Sequence, residues 1–138
     1  MSDAFLDASY AIALSASSDQ YHERAVLIAS RLETEGTRLV TTRGVVLEIG
    51  NALSRKRYRM AAVSLLRAIE VDPNIDVVPL SEPLYQEALE LYERRPDKEW
   101  GLTDCLSFVV MRHRGLTDAL TADDHFRQAG FRALLLEQ

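Results

Sequence analysis

The chain has 138 residues, of which 47% are hydrophobic and 27% are charged, and its net charge is −5. These values are typical of one globular domain spanning residues 1–138, and they exclude a membrane-spanning helix because no apolar run approaches ~20 residues. They also exclude a uniformly basic nucleic-acid-binding surface, although locally clustered basic residues remain compatible with an acidic total.

The first predicted strand, residues 4–7, is apolar and ends in Asp7. Small residues predict a helix over residues 9–17. Asp19 is the predicted N-cap of an amphipathic helix that stops at Gly36. Asp3, Asp7 and Asp19 interrupt the apolar positions near the start of the chain, so no signal peptide is expected.

A carboxylate lies in the apolar stripe of the third predicted helix. Residues 38–41 form the second predicted strand, and Thr42 is the expected N-cap of the helix that follows. Glu48 shares one face of this helix with Val45 and Ile49. Burying it ionised and unpaired would be costly, so we expect it to meet a cation, a hydrogen-bonding partner or the open rim of a cleft.

Basic residues cluster where this helix ends. They could follow an RNA backbone, and a solvated helix end whose dipole favours cations is an equally good interpretation. The group comprises Arg55, Lys56, Arg57 and Arg59.

The next segment repeats the alternation of helix and strand. A helix is predicted over residues 60–70 and a third strand over residues 75–80. Ser81 and Pro83 then begin a helix that ends near Arg95. Strands and helices thus continue to alternate along the chain.

The last part of the chain brings further acids to strand and helix ends. Thr103 is the predicted N-cap of a helix that carries Asp104 in its first turn and stops at Gly115. A short strand over residues 119–121 is followed directly by Asp123 and Asp124. A short helix over residues 125–129 and a last strand over residues 131–136 complete the chain.

This alternation predicts an α/β/α sandwich with a five-stranded parallel sheet. Ligands bind at the carboxyl edge of such sheets, where Asp7, Glu48, Asp104 and Asp123 are expected to meet. Helix capping is an alternative role for each aspartate. Converging carboxylates repel one another unless a cation joins them, and oxygen ligands suit Mg²⁺ or Mn²⁺. Such a site can activate water for hydrolysis of a phosphodiester in a nucleic acid.

Three segments resemble the PIN-domain family, in particular the small proteins typified by VapC-type toxins: FLDAS, LVTTRGVVLEIGNAL and GLTDCLSFVVMRHRGLTDALTADDHFRQAGF. The resemblance implies a Mg²⁺- or Mn²⁺-dependent endoribonuclease with Asp7, Glu48, Asp104 and Asp123 as the acidic site. It also implies that Ser9 supports the site, with Asp124 as a further outer acid. A homodimer and an inhibitory antitoxin partner are common in this family.

Other residues have simpler interpretations. His125 is expected on the surface, although it could touch phosphate, and Trp100 is expected to pack, although it could line the cleft. Cys105, the only cysteine, is expected to be a small buried residue. A single cysteine allows no internal disulfide, which is compatible with a reducing cytoplasm.

Two other enzyme classes do not fit the sequence, and one non-enzymatic class remains an alternative. A phosphoacceptor receiver domain needs a lysine near its final strand, and the only lysines are Lys56 and Lys98. A P-loop enzyme is excluded because no GxxxxGK[ST] occurs. A non-catalytic PIN-like module that binds RNA or protein remains the alternative to the enzyme.

Overall fold

Five parallel strands form one sheet in the computed structural model, which describes residues 3–137. The spatial order is β3-β2-β1-β4-β5, so β1 is the central strand. Phe5 in β1 pairs with Val40 in β2 on one side and with Ala119 in β4 on the other. The strands are β1 Ala4–Leu6, β2 Leu39–Thr42, β3 Ile75–Val78, β4 Asp118–Leu120 and β5 Arg132–Ala133.

Seven α-helices connect and cover the strands of the described region. With this strand order, right-handed crossovers require α1–α4 on one face of the sheet and α5–α7 on the other. Helices within each group contact one another, in agreement with the predicted sandwich. The helices are α1 Ala8–Ser15, α2 His22–Glu35, α3 Arg43–Ala52, α4 Arg59–Val71, α5 Glu82–Arg94, α6 Leu102–Arg114 and α7 Asp124–Gln128. Short 3₁₀ turns occupy Lys56–Tyr58 and Leu134–Leu136.

The direction of the connections reverses at β1. The chain leaves β1 for β2 on one side, and it returns from β3 to β4 on the other side. Such a switch point opens a crevice at the carboxyl ends of the two diverging strands. Asp7 follows β1 and Asp123 lies three residues beyond β4, so both acids lie beside this crevice.

Several predicted helix ends are confirmed. The Thr42 hydroxyl accepts a hydrogen bond from the Val45 backbone N–H, and the Ser81 hydroxyl accepts one from Leu84. Helices α2 and α6 stop at Gly36 and Gly115, whose φ angles of 66° and 65° lie in the left-handed region that glycine adopts without strain.

Two predicted caps are wrong. Helix α2 begins at His22, and Asp19 instead accepts a hydrogen bond from the Tyr21 backbone N–H in the preceding turn. The N-cap of α6 is Gly101, because Asp104 accepts a hydrogen bond from the Gly101 backbone N–H and so starts the helix earlier than Thr103.

Some predicted boundaries also differ from the structure. The first helix spans Ala8–Ser15 instead of residues 9–17, and the third strand ends at Val78. The last strand is only Arg132–Ala133, since the apolar run that follows turns into a 3₁₀ segment. Within residues 3–137, the helices are all too short or too polar to cross a membrane.

Candidate active site

Asp7 lies buried at the end of β1, with 7% of its surface exposed. It occupies the N-cap position of α1, but its side chain makes no capping hydrogen bond. Its Oδ2 instead accepts hydrogen bonds from the Thr121 hydroxyl at 2.7 Å and the Ser9 hydroxyl at 3.1 Å. Burial raises the pKa of Asp7, the two hydroxyl groups oppose this rise, and the charge of Asp104 adds to it.

Thr121 links the ends of β1 and β4. Besides its bond to Asp7, its hydroxyl oxygen accepts a hydrogen bond from the Asp123 backbone N–H at 3.0 Å and lies 3.1 Å from the Ser9 hydroxyl. Ser9 in turn accepts a hydrogen bond from the Ala122 backbone N–H. Ser9 was predicted from the sequence and Thr121 was not; the available signal was a threonine at the end of a buried strand, two residues before Asp123.

Asp104 and Asp123 meet around His125. The Nδ1 atom of His125 lies 3.1 Å from Asp104 Oδ2 and 3.5 Å from Asp123 Oδ1. One potential ligand atom from each of these three residues lies within 4.8 Å of the corresponding atoms of the other two. The His125 side chain is 31% exposed, which agrees with its expected place near the surface. It also contacts both acids, and the contact with Asp104 was not predicted.

Both aspartates also act as helix caps. Asp104 accepts from the Gly101 backbone N–H at the start of α6, and Asp123 accepts from the His125 backbone N–H at the start of α7. Capping, the alternative role considered for these acids, thus coexists with their convergence. Each helix start holds its carboxylate in place, and the partial positive charge of the helix end favours that location.

Glu48 completes the acidic group from α3. Its side chain is exposed at the rim, yet partial burial together with the charges of Asp7, Asp104 and Asp123 raises its pKa to about 7. Gly44, one turn earlier, lets α3 approach α6: a Cβ atom there would lie 3.1 Å from Leu106 Cδ1. The open rim was one of the three environments expected for Glu48.

The acidic group can hold a divalent cation. It offers carboxylate oxygens from four elements and one imidazole nitrogen at the edge of a cleft, the donor set that Mg²⁺ and first-row transition metals accept. Burial is the main cause of the raised pKa values of Asp7 and Glu48, and the charges of the neighbouring acids add to both. Placing a positive ion among them would relieve this repulsion.

Other predicted residues lie outside this group. Asp124 is exposed, 3.5 Å from Arg127 Nε. The basic residues surround the exposed 3₁₀ turn after α3, where Arg59 donates to the Ser54 carbonyl oxygen and Arg57 stacks on Tyr58.

Two further residues behave as packing groups, as expected. Cys105 is fully buried with its pKa raised to about 11 by burial, which disfavours a reactive thiolate. Trp100 is 4% exposed and packs edge-on against Phe108.

The raised pKa of Glu48 predicts a pH-dependent stability. Between its ordinary value of 4.5 and about 7 the folded protein holds a proton that the unfolded chain releases, so the free energy of unfolding falls as pH rises. Glu48→Gln should remove this loss. After a discount for solvent screening, its free energy of unfolding near neutral pH should exceed that of the unchanged protein by on the order of 1 kcal/mol. Urea unfolding of both proteins in chelator, from about pH 4 to about pH 8, measures this difference.

The control for this measurement is Glu90→Gln, which changes an exposed glutamate on α5. Its stability curve should follow that of the unchanged protein. Equal curves for the two variants would contradict electrostatic crowding at Glu48.

Known proteins resemble this chain along most of its length. A family model described as PIN domain matches residues 4–132. The 23S rRNA-specific endonuclease VapC20 of Mycobacterium tuberculosis is 32% identical over 128 residues, which cover 92% of this chain and 94% of that protein. The crystal structure of VapC20, a Sarcin-Ricin loop cleaving toxin, superposes with a TM-score of 0.82 at 29% identity, over 94% of this chain and 97% of that one.

A more distant structure shares the fold alone. VapBC2 from Rickettsia felis, bound to a DNA fragment from its promoter, has a TM-score of 0.64 at 14% identity, over 94% of each chain. The parallel sheet, the acids at its switch point, and the match over residues 4–132 agree with one another. The chain belongs to the PIN-domain family.

Proposed function

We propose that this protein is a metal-dependent endoribonuclease that acts as the toxin of a type II toxin–antitoxin pair. The observation that carries the proposal is that Asp104 and Asp123 meet around His125 at the carboxyl edge of the sheet, with Asp7 and Glu48 near enough for the charges of the other acids to raise their pKa values. The 32% identity to a 23S rRNA-specific endonuclease supports RNA as the substrate. A loop of 23S rRNA is the first candidate target.

Mg²⁺ or Mn²⁺ is the proposed cofactor, held by the same four acids. When bound, a divalent ion lowers the pKa of water and neutralises charge that develops on the phosphate. Thr121 and Ser9 orient the Asp7 carboxylate through their hydroxyl groups. His125 keeps Asp104 and Asp123 in a common arrangement, and Asp124 serves as an outer acid.

The basic group Arg55, Lys56, Arg57 and Arg59 is the proposed track for the RNA backbone. Arg55 follows Glu48 by seven positions, and α3 ends between them at Ala52, so the basic group begins close to the acidic site along the chain. Arg57 and Tyr58 also offer a stacked cation and ring, 4.7 Å from guanidinium carbon to ring centroid, on which a base could stack. Such contacts would counter the overall charge of −5.

The remaining parts of the proposal concern assembly and location. We propose one domain over residues 1–138, a homodimer, an antitoxin protein that blocks the acidic site, and a cytoplasmic location. The family match over residues 4–132 supports the single domain. The convergence of all four acids favours the nuclease over a non-catalytic PIN-like binding module.

The proposal is tested with purified protein, 23S rRNA, a structured stem-loop RNA and a single-stranded RNA. We expect cleavage of at least one RNA with Mg²⁺ or Mn²⁺, and none with chelator. Metal binding without cleavage of any of these RNAs would favour the binding module instead.

A further inference from the structure

A polar cavity of about 320 Å³ adjoins the acidic group. It lies between α7 and the loop that joins α5 to α6, and this volume is at the lower end of the range for small-ligand sites, ~300–1,000 Å³. His125 belongs to both places, because its ring lines the cavity while Nδ1 lies 3.1 Å from Asp104 Oδ2. The other lining residues are Asp97, Lys98, Glu99 and Gln128.

The walls of this cavity are held in place. Arg95 donates to both carboxylate oxygens of Asp97 at 3.0 Å, and its guanidinium lies 5.1 Å from the Trp100 ring centroid. Trp100 Nε1 donates to Gln128 Oε1 at 3.1 Å. The loop and α7 are therefore linked through a buried tryptophan, and a ligand would meet a preformed surface.

The charges of the lining disfavour a phosphate group. Glu99 brings an exposed carboxylate, and Arg95 already neutralises Asp97. Lys98 also lines the cavity, with its side chain 28% exposed and its Nζ 4.0 Å from Asp97 Oδ2, so it shares that carboxylate with Arg95. A phosphate would face one lysine against a free carboxylate, whereas a neutral group with donors and acceptors can pair with both.

An unpaired guanine has the matching pattern. Its O6 and N7 accept hydrogen bonds, as from lysine in other nucleic-acid complexes, and its N1–H and N2–H₂ groups donate. Gln128 Oε1 is occupied by Trp100, and one Gln128 N–H faces Asp124 Oδ2 at 3.4 Å. Lys98 and the second N–H of Gln128 can donate to guanine O6 and N7. The Glu99 carboxylate can accept from guanine N1–H and N2–H₂. Adenine offers one acceptor fewer on the corresponding edge.

We propose that this cavity binds an unpaired guanine next to the cleaved phosphodiester and thereby sets the cleavage site. Lys98, Glu99 and Gln128 are its specificity-determining residues, and Trp100 is a positioning residue. The inference rests on the proposed ribonuclease function, because it assigns the cavity to the same RNA substrate.

The first test measures base binding without cleavage. Trp100 is the only tryptophan, so its fluorescence reports on the cavity. Guanosine, adenosine, cytidine and uridine are each titrated into the protein in chelator. Guanosine should change the emission at concentrations about tenfold lower than the other nucleosides, as expected for one good base contact.

The second test measures cleavage in RNA hairpins with randomised loops. The unchanged protein should cleave beside guanine, and Lys98→Ala and Gln128→Ala should each reduce this preference roughly tenfold while still cleaving. Gln86→Ala, the same change on the exposed surface of α5, should keep the preference. Lys98→Ala leaves the bond between Trp100 and Gln128 intact, so it also serves in the fluorescence titration.

The outcomes separate the two proposals. A guanosine response that Lys98→Ala abolishes, without cleavage of any RNA, would support the base site and overturn the nuclease. Cleavage whose base preference is the same in all variants, with equal responses to the four nucleosides, would overturn the base site and leave the nuclease standing.

Discussion

Asp104→Asn should lower metal-dependent RNA cleavage by at least about 100-fold, because even residues behind metal ligands cost 10–100-fold when changed. Asparagine keeps an oxygen that can accept the Gly101 N–H, so the start of α6 should persist. It removes the negative charge that faces His125 and Asp7. The rate of RNA cleavage is measured at several Mg²⁺ and Mn²⁺ concentrations, alongside thermal unfolding.

The matched control is Asp3→Asn, which makes the same chemical change at an exposed position before β1, at the opposite edge of the sheet. This variant should cleave like the unchanged protein. If Asp104→Asn retained full cleavage while the protein stayed folded, Asp104 would not belong to the catalytic group. Asp7→Asn should give a similar loss of cleavage and, in chelator, a more stable protein, because it removes a buried charge.

Patterns that act within one element were predicted well from the sequence. The caps at Thr42 and Ser81 and the stops at Gly36 and Gly115 depend on hydrogen bonds and φ angles inside a few residues. The alternation of apolar strands and amphipathic helices determined the sheet and its carboxyl edge. The convergence of the three aspartates followed from that edge, because each stands at the end of a strand or the start of a helix, whereas Glu48 was recognised as a carboxylate in the apolar stripe of α3.

What the sequence did not predict depends on contacts between distant elements. Thr121 resembles any β-branched strand residue until the fold brings it beside Asp7, 114 positions away. His125 gains its role because α6 brings Asp104 to its Nδ1 atom. One miss is local: Thr103 is a good capping residue, but the Asp104 carboxylate accepts the Gly101 N–H and so places the N-cap of α6 two residues earlier. Local propensity cannot decide between these two caps.

The packing beneath the site joins the elements that carry its acids. Phe126 in α7 is fully buried, with its ring centroid 5.0 Å from that of Phe108 in α6 and 6.1 Å from that of Phe5 in β1. Phe5 precedes Asp7 by two residues, Phe108 follows Asp104 by one helical turn, and Phe126 stands directly after His125. The Phe126 ring therefore joins α7 to both β1 and α6.

Phe126→Ala should lower the free energy of unfolding by about 3–5 kcal/mol, the usual cost of emptying a large core site. Phe126→Leu should cost less, remain folded and still weaken Mn²⁺ binding in calorimetric titration, because α6 and α7 would lose their common contact. Phe131→Ala is the control: Phe131 also packs on Phe108, at 5.7 Å, but is partly exposed. Equal loss of Mn²⁺ affinity in Phe131→Ala and Phe126→Leu would mean that the aromatic cluster stabilises the fold without specifically positioning the acids.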